Sequence, residues 1–296
     1  MRALKVLSLL FLLYISPACK RKKRTYTSPT NTEIPVYKPQ NITVFVHGTL
    51  PPDFIYQIPF LHDFFYCPQG LSLVHDMDKK YTLSNFQLMT EQNPEQFNKQ
   101  TFYFFGWSGD LNYDARYKAA QDLYHALLDL SKKHPGLPLR VITQSHGGNV
   151  ALNLARIAQE HDDQELSIET LVLIACPVQE VTASYVHASL FNTIYVLYSP
   201  VDLIQVADPQ GFYEETRKNI KHGQRRLFSH RHFPKDEKLT HCRLRLNGRG
   251  MGHSDFLGKP FLKNLPTIIQ SLEVPTKRTT LKKVRKMDEY IIRIFG

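Results

Sequence analysis

Leu139-Arg140-Val141-Ile142-Thr143-Gln144-Ser145-His146-Gly147-Gly148-Asn149-Val150-Ala151-Leu152 decides the fold. The apolar run with Val141 and Ile142 reads as a buried strand. It passes directly into Ser145 and two glycines. A helical pattern follows, in which Val150, Leu154 and Ile157 recur. A serine on so tight a strand-to-helix turn has its hydroxyl pushed out beyond the carboxyl end of the strand. The backbone N–H of His146 then points the same way and is a candidate oxyanion donor. Small residues belong two places either side of such a serine, because strand and helix come too close for a large side chain. Gly147 meets this requirement, and Thr143 departs from it. Read alone, the stretch is also compatible with an ordinary strand–glycine turn–helix unit bearing a surface serine.

Working outward, Ile42-Thr43-Val44-Phe45-Val46 is a strand running into His47-Gly48-Thr49. Residues 51–100 are mixed and rich in aromatics, among them Phe54, Tyr56, Phe60, Phe64, Phe65 and Tyr66; they read as a lid or pocket wall, or, for at least half of the aromatics, as hydrophobic core. Thr101-Phe102-Tyr103-Phe104-Phe105 is a strand ending in Gly106-Trp107-Ser108-Gly109-Asp110. Ala120, Leu123, Leu127 and Leu130 give 113–133 a helical period, closed by His134-Pro135-Gly136. Thr170–Ala175 and Asn192–Tyr198 are further strands. The latter ends at Ser199-Pro200-Val201-Asp202. Leu239 to Leu246 reads as the last strand, before Gly248-Arg249-Gly250-Met251-Gly252-His253 and a helix over 261–272. Strands alternating with helices imply a parallel sheet covered on both faces. The expected architecture is a three-layer α/β sandwich of about six strands, with no internal repeat.

The 296 residues carry a formal charge of +10, unevenly placed. Residues 1–24 hold seven basic and no acidic groups, and residues 276–296 hold seven against two. Residues 25–211 hold ten basic against nineteen acidic. Basicity confined to the ends and to 212–252 suits an anionic membrane surface, or solvated tails, better than a groove that tracks phosphates. No nucleic-acid partner is expected. Residues 1–24 are expected as a signal peptide or membrane anchor, since the apolar run from Val6 to Ile15 is short for a membrane span. Ala18-Cys19 suits an exported, lipoprotein-like protein, which is the preferred reading. The following Lys20-Arg21-Lys22-Lys23-Arg24 opposes export and keeps a cytoplasm-facing anchor open. Residues 25–40 read as a linker, 41–275 as the folded domain, and 276–296 as a basic tail forming a helix, either on a membrane or packed on the domain. Cys19, Cys67, Cys176 and Cys242 show no metal-site spacing; a Cys67–Cys242 bridge is conceivable, but nothing selects it.

In a sheet of this kind ligands gather beyond the carboxyl ends of the strands, where Ser145, Asp202, His253 and the His47-Gly48-Thr49 loop all fall. A serine needs a base to take its proton, and an imidazole needs a carboxylate to fix its tautomer. Phe45-Val46-His47-Gly48, Gln144-Ser145-His146-Gly147-Gly148, Tyr198-Ser199-Pro200-Val201-Asp202 and Gly252-His253-Ser254-Asp255 follow one another in that order. On these stretches the chain resembles the α/β-hydrolase superfamily over roughly residues 41–272, and is similar to bacterial lipase- and esterase-like hydrolases with an S-H-G-G elbow. The resemblance implies Ser145 as nucleophile, Asp202 as acid, His253 as base, and the amides of Thr49 and His146 as oxyanion donors. It implies hydrolysis of a carboxylic ester, lipid or short-chain, through an acyl-serine. Amide and thioester substrates stay open, as does a non-catalytic binder of lipid or protein on the same scaffold.

Each assignment has rivals. Asp208 competes with Asp202, and His187, His230, His232 and His241 compete with His253. His230-Arg231-His232 has metal-binding spacing but reads as surface. His47 is expected to stabilise its turn beside the pocket, Trp107 to pack or line the pocket, and His146 to face the pocket mouth. Ser108 imitates a nucleophile, but a loop follows it, so it is read as structural. No cofactor or metal is expected; water is the second substrate.

Overall fold

The computed structural model describes residues 40–50, 66–161, 166–210, 227–274, 282–286 and 289–294. The segments 1–39, 51–65 and 211–226, and with them the expected anchor, the linker and most of the aromatic stretch, lie outside the described residues.

Nine strands form one sheet in the order β2-β3-β1-β4-β5-β6-β7-β9-β8. They are β1 (Ile42–Val46), β2 (Gly70–Leu73), β3 (Phe102–Gly106), β4 (Leu139–Gln144), β5 (Ile168–Ile174), β6 (Phe191–Tyr198), β7 (Leu239–Leu246), β8 (Lys282–Lys286) and β9 (Glu289–Ile294). The seven inner strands run parallel, and β2 and β8 close the two edges antiparallel. Among the described residues, four α-helices longer than one turn cover the sheet: α1 (Gln87–Gln92), α2 (Tyr113–Lys133), α3 (Gly147–Glu160) and α4 (Lys259–Glu273).

The pleat divides the core in two. Ile42, Val44, Val46, Val141, Leu171, Leu173, Ile194 and Val196 face α2 and α3. Phe45, Ile142, Val172, Ile174, Leu197, Cys242 and Leu244 face α1 and α4. Because both faces are covered, the central strands are buried almost throughout, including the polar residues of β4. α2 begins at Asn112, whose side chain accepts from the Ala115 N–H at 2.7 Å, and its apolar stripe of Ala120, Leu123, Leu127 and Leu130 is buried. The architecture is the layered, mostly parallel α/β arrangement with helices on both faces expected from the sequence.

Several expectations are corrected. Among the described residues the sheet has nine strands rather than about six. Leu239–Leu246 is not its last strand, because β9 pairs with β7 from Glu289 to Ile294. The stretch 276–296, expected as a basic helical tail outside a 41–275 domain, instead supplies β8 and β9 within its described residues. The alternation Tyr290, Ile292, Ile294 suits a strand: Ile292 and Ile294 are buried against the α4 side. Basic composition masked that period. The Tyr198 hydroxyl on β6 also donates to the Glu289 carboxylate, holding β9 across β7. Finally, the described part of 51–100 is core rather than lid. Met77, Leu83, Phe86, Met89 and Phe97 pack in the same layer as α4. Cys67, Cys176 and Cys242 are buried free thiols, so no Cys67–Cys242 bridge exists.

Candidate active site

Ser145 lies between β4 and α3 with φ of 54°, the left-handed region that costs a residue with a side chain. Local bonds hold the turn. The Ser145 N–H donates to the Ile174 carbonyl at 2.8 Å, and the Gly148 N–H donates to the Ser145 carbonyl at 3.0 Å. The glycines answer to close approach. A Cβ on Gly147 would fall 2.4 Å from the Val46 carbonyl oxygen and 2.5 Å from that of His47. Thr143 takes a position where such elbows favour glycine, and the turn forms nonetheless. Its hydroxyl donates to the Val172 carbonyl at 3.1 Å, which turns the side chain toward β5.

The loop after β6 presents Asp202, and the Gly-rich loop after β7 presents His253. Asp202 Oδ2 accepts from His253 Nδ1 at 2.8 Å, and both side chains are buried. Asp202 Oδ1 accepts from the Gln205 N–H at 3.1 Å, and the Asp202 carbonyl accepts from Arg231 at 2.7 Å. The two loops are tied together by the Met251 N–H donating to Ser199 Oγ at 2.9 Å. His253 starts a short 3₁₀ turn. There the Gly252 N–H donates to Asp255 Oδ2 at 2.7 Å, and buried Phe256 anchors the turn in the core. With Nδ1–H given to Asp202, His253 Nε2 is an acceptor, and Gln144 Nε2 stands 3.1 Å from it. A Cβ on Gly48 would meet Gln144 Oε1 at 2.5 Å and the Ser145 Cβ at 2.7 Å. Gly48, Gln144, Ser145 and His253 thus border one spot at the carboxyl edge of the sheet.

The loop after β1 is held by side-chain hydrogen bonds. His47 Nδ1 donates to the Gly48 carbonyl at 2.7 Å, and His47 Nε2 accepts from the Trp107 N–H at 3.0 Å. Trp107 Nε1 donates back to the His47 carbonyl at 2.8 Å. Burial pushes His47 down to about 4, against the pull of its two backbone hydrogen bonds, so it is neutral at pH 7. Both rings are buried and stacked on one another, which spends their polar groups on holding the turn rather than on lining an open pocket. Next to Gly48, the Thr49 hydroxyl is buried with no hydrogen-bond partner.

His146 departs from the expectation that it faces the pocket mouth. It is buried, with Nε2 3.2 Å from Asp208 Oδ1 and Nδ1 3.4 Å from Asn149 Nδ2. Burial holds its imidazole below the usual histidine range, outweighing the opposite pull of Asp208. The two candidate carboxylates are therefore divided: Asp202 serves His253, and Asp208 serves His146. The rival histidines sit elsewhere. His187 pairs with Asp236 at 2.6 Å, His232 meets the Tyr198 hydroxyl at 3.1 Å, and His241 accepts from the Phe233 N–H at 3.1 Å. The His230 carbonyl accepts from the Val178 N–H at 2.9 Å. Among the described residues no cluster of His, Cys, Asp and Glu is arranged for a metal ion. Gln144, Gln205 and Arg231 are contacts of the site that sequence reasoning gave no role. Only Gln144 carried a usable signal, its place directly before the serine.

No family model matches the chain, and no curated protein matches it. Solved structures do. An esterase of Pyrobaculum calidifontis is 15% identical, over 80% of this chain and 78% of that one, with a TM-score of 0.42. A thermostable carboxylesterase cloned from a metagenomic library is 12% identical over 79% and 81%, also with a TM-score of 0.42. An esterase of Rhizomucor miehei is 14% identical over 81% and 76%, with a TM-score of 0.41.

Proposed function

We propose that the protein is a serine hydrolase that cleaves carboxylic esters through an acyl-serine intermediate. The observation that carries this reading is Ser145, held at φ 54° on a strand-to-helix elbow, beside a buried His253–Asp202 pair. In the proposed reaction Ser145 Oγ attacks the ester carbonyl carbon while His253 Nε2 takes the hydroxyl proton. Asp202 keeps Nδ1 protonated and steadies the imidazolium. The oxyanion is received by the backbone N–H groups of His146 and Thr49. Collapse breaks the bond to the alkoxy group, which leaves as alcohol with the proton from His253. Water, deprotonated by the same nitrogen, then attacks the acyl-serine and releases the acid. The Gln144 amide stands 3.1 Å from His253 Nε2 at the same edge of the sheet, beside the proton-transfer path.

A fluorophosphonate probe and p-nitrophenyl acyl esters test the reading. The wild-type chain should be labelled and turn over ester, and Ser145→Ala should do neither while keeping its fold. Retained turnover in Ser145→Ala moves the nucleophile elsewhere. Absence of labelling in the wild type favours a binding protein on the hydrolase scaffold. Attachment to a membrane through residues 1–24 is part of the same proposal. It is read by comparing the membrane fraction of the full chain with that of a chain lacking them.

A further inference from the structure

The elbow is braced on its second side by groups that the proposed reaction does not use. His146 Nε2 stands 3.2 Å from Asp208 Oδ1, and Asp208 Oδ2 accepts from Gln179 Nε2 at 2.8 Å and from Ser229 Oγ at 2.5 Å. Gln179 Oε1 in turn accepts from the guanidinium of Arg116 at 3.3 Å. All five side chains are buried, Arg116 completely. On the other edge of the ring, Asn149 Nδ2 donates to His146 Nδ1 and, at 3.0 Å, to the Pro177 carbonyl. An imidazole that accepts at Nδ1 and carries its proton at Nε2 has one orientation only. Hydrogen bonds in so dry a place are costly to break, so the ring is fixed rather than merely placed.

His146 sits at φ −63° and ψ −13°, immediately after the strained serine. The peptide plane between the two residues carries the N–H assigned to the oxyanion. Its direction depends on ψ of Ser145 and φ of His146, and anchoring the His146 side chain removes freedom from the latter. Asp208 lies six residues beyond Asp202 on the loop that follows β6. The stretch 202–208 at the start of that loop is stapled at both of its ends, Asp202 to His253 and Asp208 to His146.

From this we infer that Asp208 and the His146 imidazole are positioning residues that aim the His146 amide at the oxyanion, so that one loop sets both the base and the oxyanion hole. The inference rests on the serine hydrolase reading. A donor fixed before the reaction needs no reorganisation as charge develops, and losing one such donor costs about 10²–10³ in kcat. Loosening it should cost part of that.

The test compares wild type with Asp208→Ala, Asp208→Asn and Ser229→Ala, using p-nitrophenyl butyrate and a trifluoromethyl ketone that forms a tetrahedral adduct with an activated serine. Asp208→Ala should lower kcat by about 10- to 100-fold with KM within about two-fold. Its affinity for the ketone should fall in the same ratio as kcat/KM. Asp208→Asn, which keeps one carbonyl oxygen, should recover most of the loss. Ser229→Ala, a smaller lesion that removes only one donor to Asp208, should lower kcat a few-fold and decides the matter if Asp208→Ala does not fold. A folded Asp208→Ala or Ser229→Ala chain with unchanged kcat, or one in which KM rises while kcat stays, overturns the inference. Wild-type protein that neither reacts with fluorophosphonate nor hydrolyses the ester instead ends the hydrolase reading.

Discussion

Trp107 is the single tryptophan of the chain, and its backbone N–H donates to His47 Nε2 at 3.0 Å. That hydrogen bond needs a neutral imidazole, because a protonated His47 has no lone pair to accept with. Burial lowers His47 from 6.5 to about 4 in the folded chain, whereas the unfolded chain takes its proton near 6.5. Between those values the unfolded state holds one proton more, so stability rises with pH by about 1.4 kcal/mol per unit. The contribution is complete above pH 6.5 and is lost as pH falls through about 4, a total of about 3 kcal/mol. His241 is also lowered to about 4, by burial and the neighbouring His232, so the effect of His47 must be read as a difference. Urea unfolding of wild type and His47→Gln at pH 7 and pH 5 provides it. Wild type should lose about 2 kcal/mol more than the variant across that interval. Tryptophan emission of the native protein reports the same event directly. It should be flat from pH 8 to about pH 5 and change around pH 4. A transition centred near pH 6.5, or equal losses in the two proteins, would refute the claim that His47 is a neutral strut under the loop after β1.

Other substitutions probe the remaining parts of the argument. Asp202→Asn leaves the packing in place but gives His253 Nδ1 the wrong partner, and kcat for a p-nitrophenyl ester should fall about 10³- to 10⁴-fold at unchanged melting temperature. Thr49→Val removes a hydroxyl that is buried without a partner while keeping the backbone N–H. Thermal unfolding should show no loss of stability, and a gain is allowed. Gly147→Ala would place a methyl 2.4 Å from the Val46 carbonyl oxygen, so the elbow must open. Labelling by fluorophosphonate should be lost in a chain that still gives a native circular dichroism spectrum. Ile292→Ala should cost about 2–5 kcal/mol in urea unfolding if β9 belongs to the core, and almost nothing if the C-terminal stretch is an appended tail.

Much of the site was legible because its chemistry is local in sequence. The strand, serine and paired glycines around residue 145 occupy consecutive positions, and each strand end announces its own loop. The helix over 113–133 was equally plain, since its apolar period and its stop at His134-Pro135-Gly136 are properties of one segment. The sheet edges were not legible. β2 has only four residues, and β9 hides a two-residue apolar period among basic neighbours. Nothing in either segment says which strand it will join.

The pairing of carboxylates with histidines marks the boundary most clearly. Sequence alone supplied the residue types and the order in which they reach the sheet edge, because a strand followed by a turn points its next side chains outward whatever surrounds it. It favoured Asp202 over Asp208 as the partner of His253, and it gave Asp208 no partner of its own. The pairing itself is made by distance and burial across segments far apart in the chain. It also determines that His146 is sealed behind the elbow and that His47, expected to stabilise its turn, does so against the backbone of Trp107. Contacts between remote segments depend on how two faces of the sheet are covered, and only the folded chain specifies that.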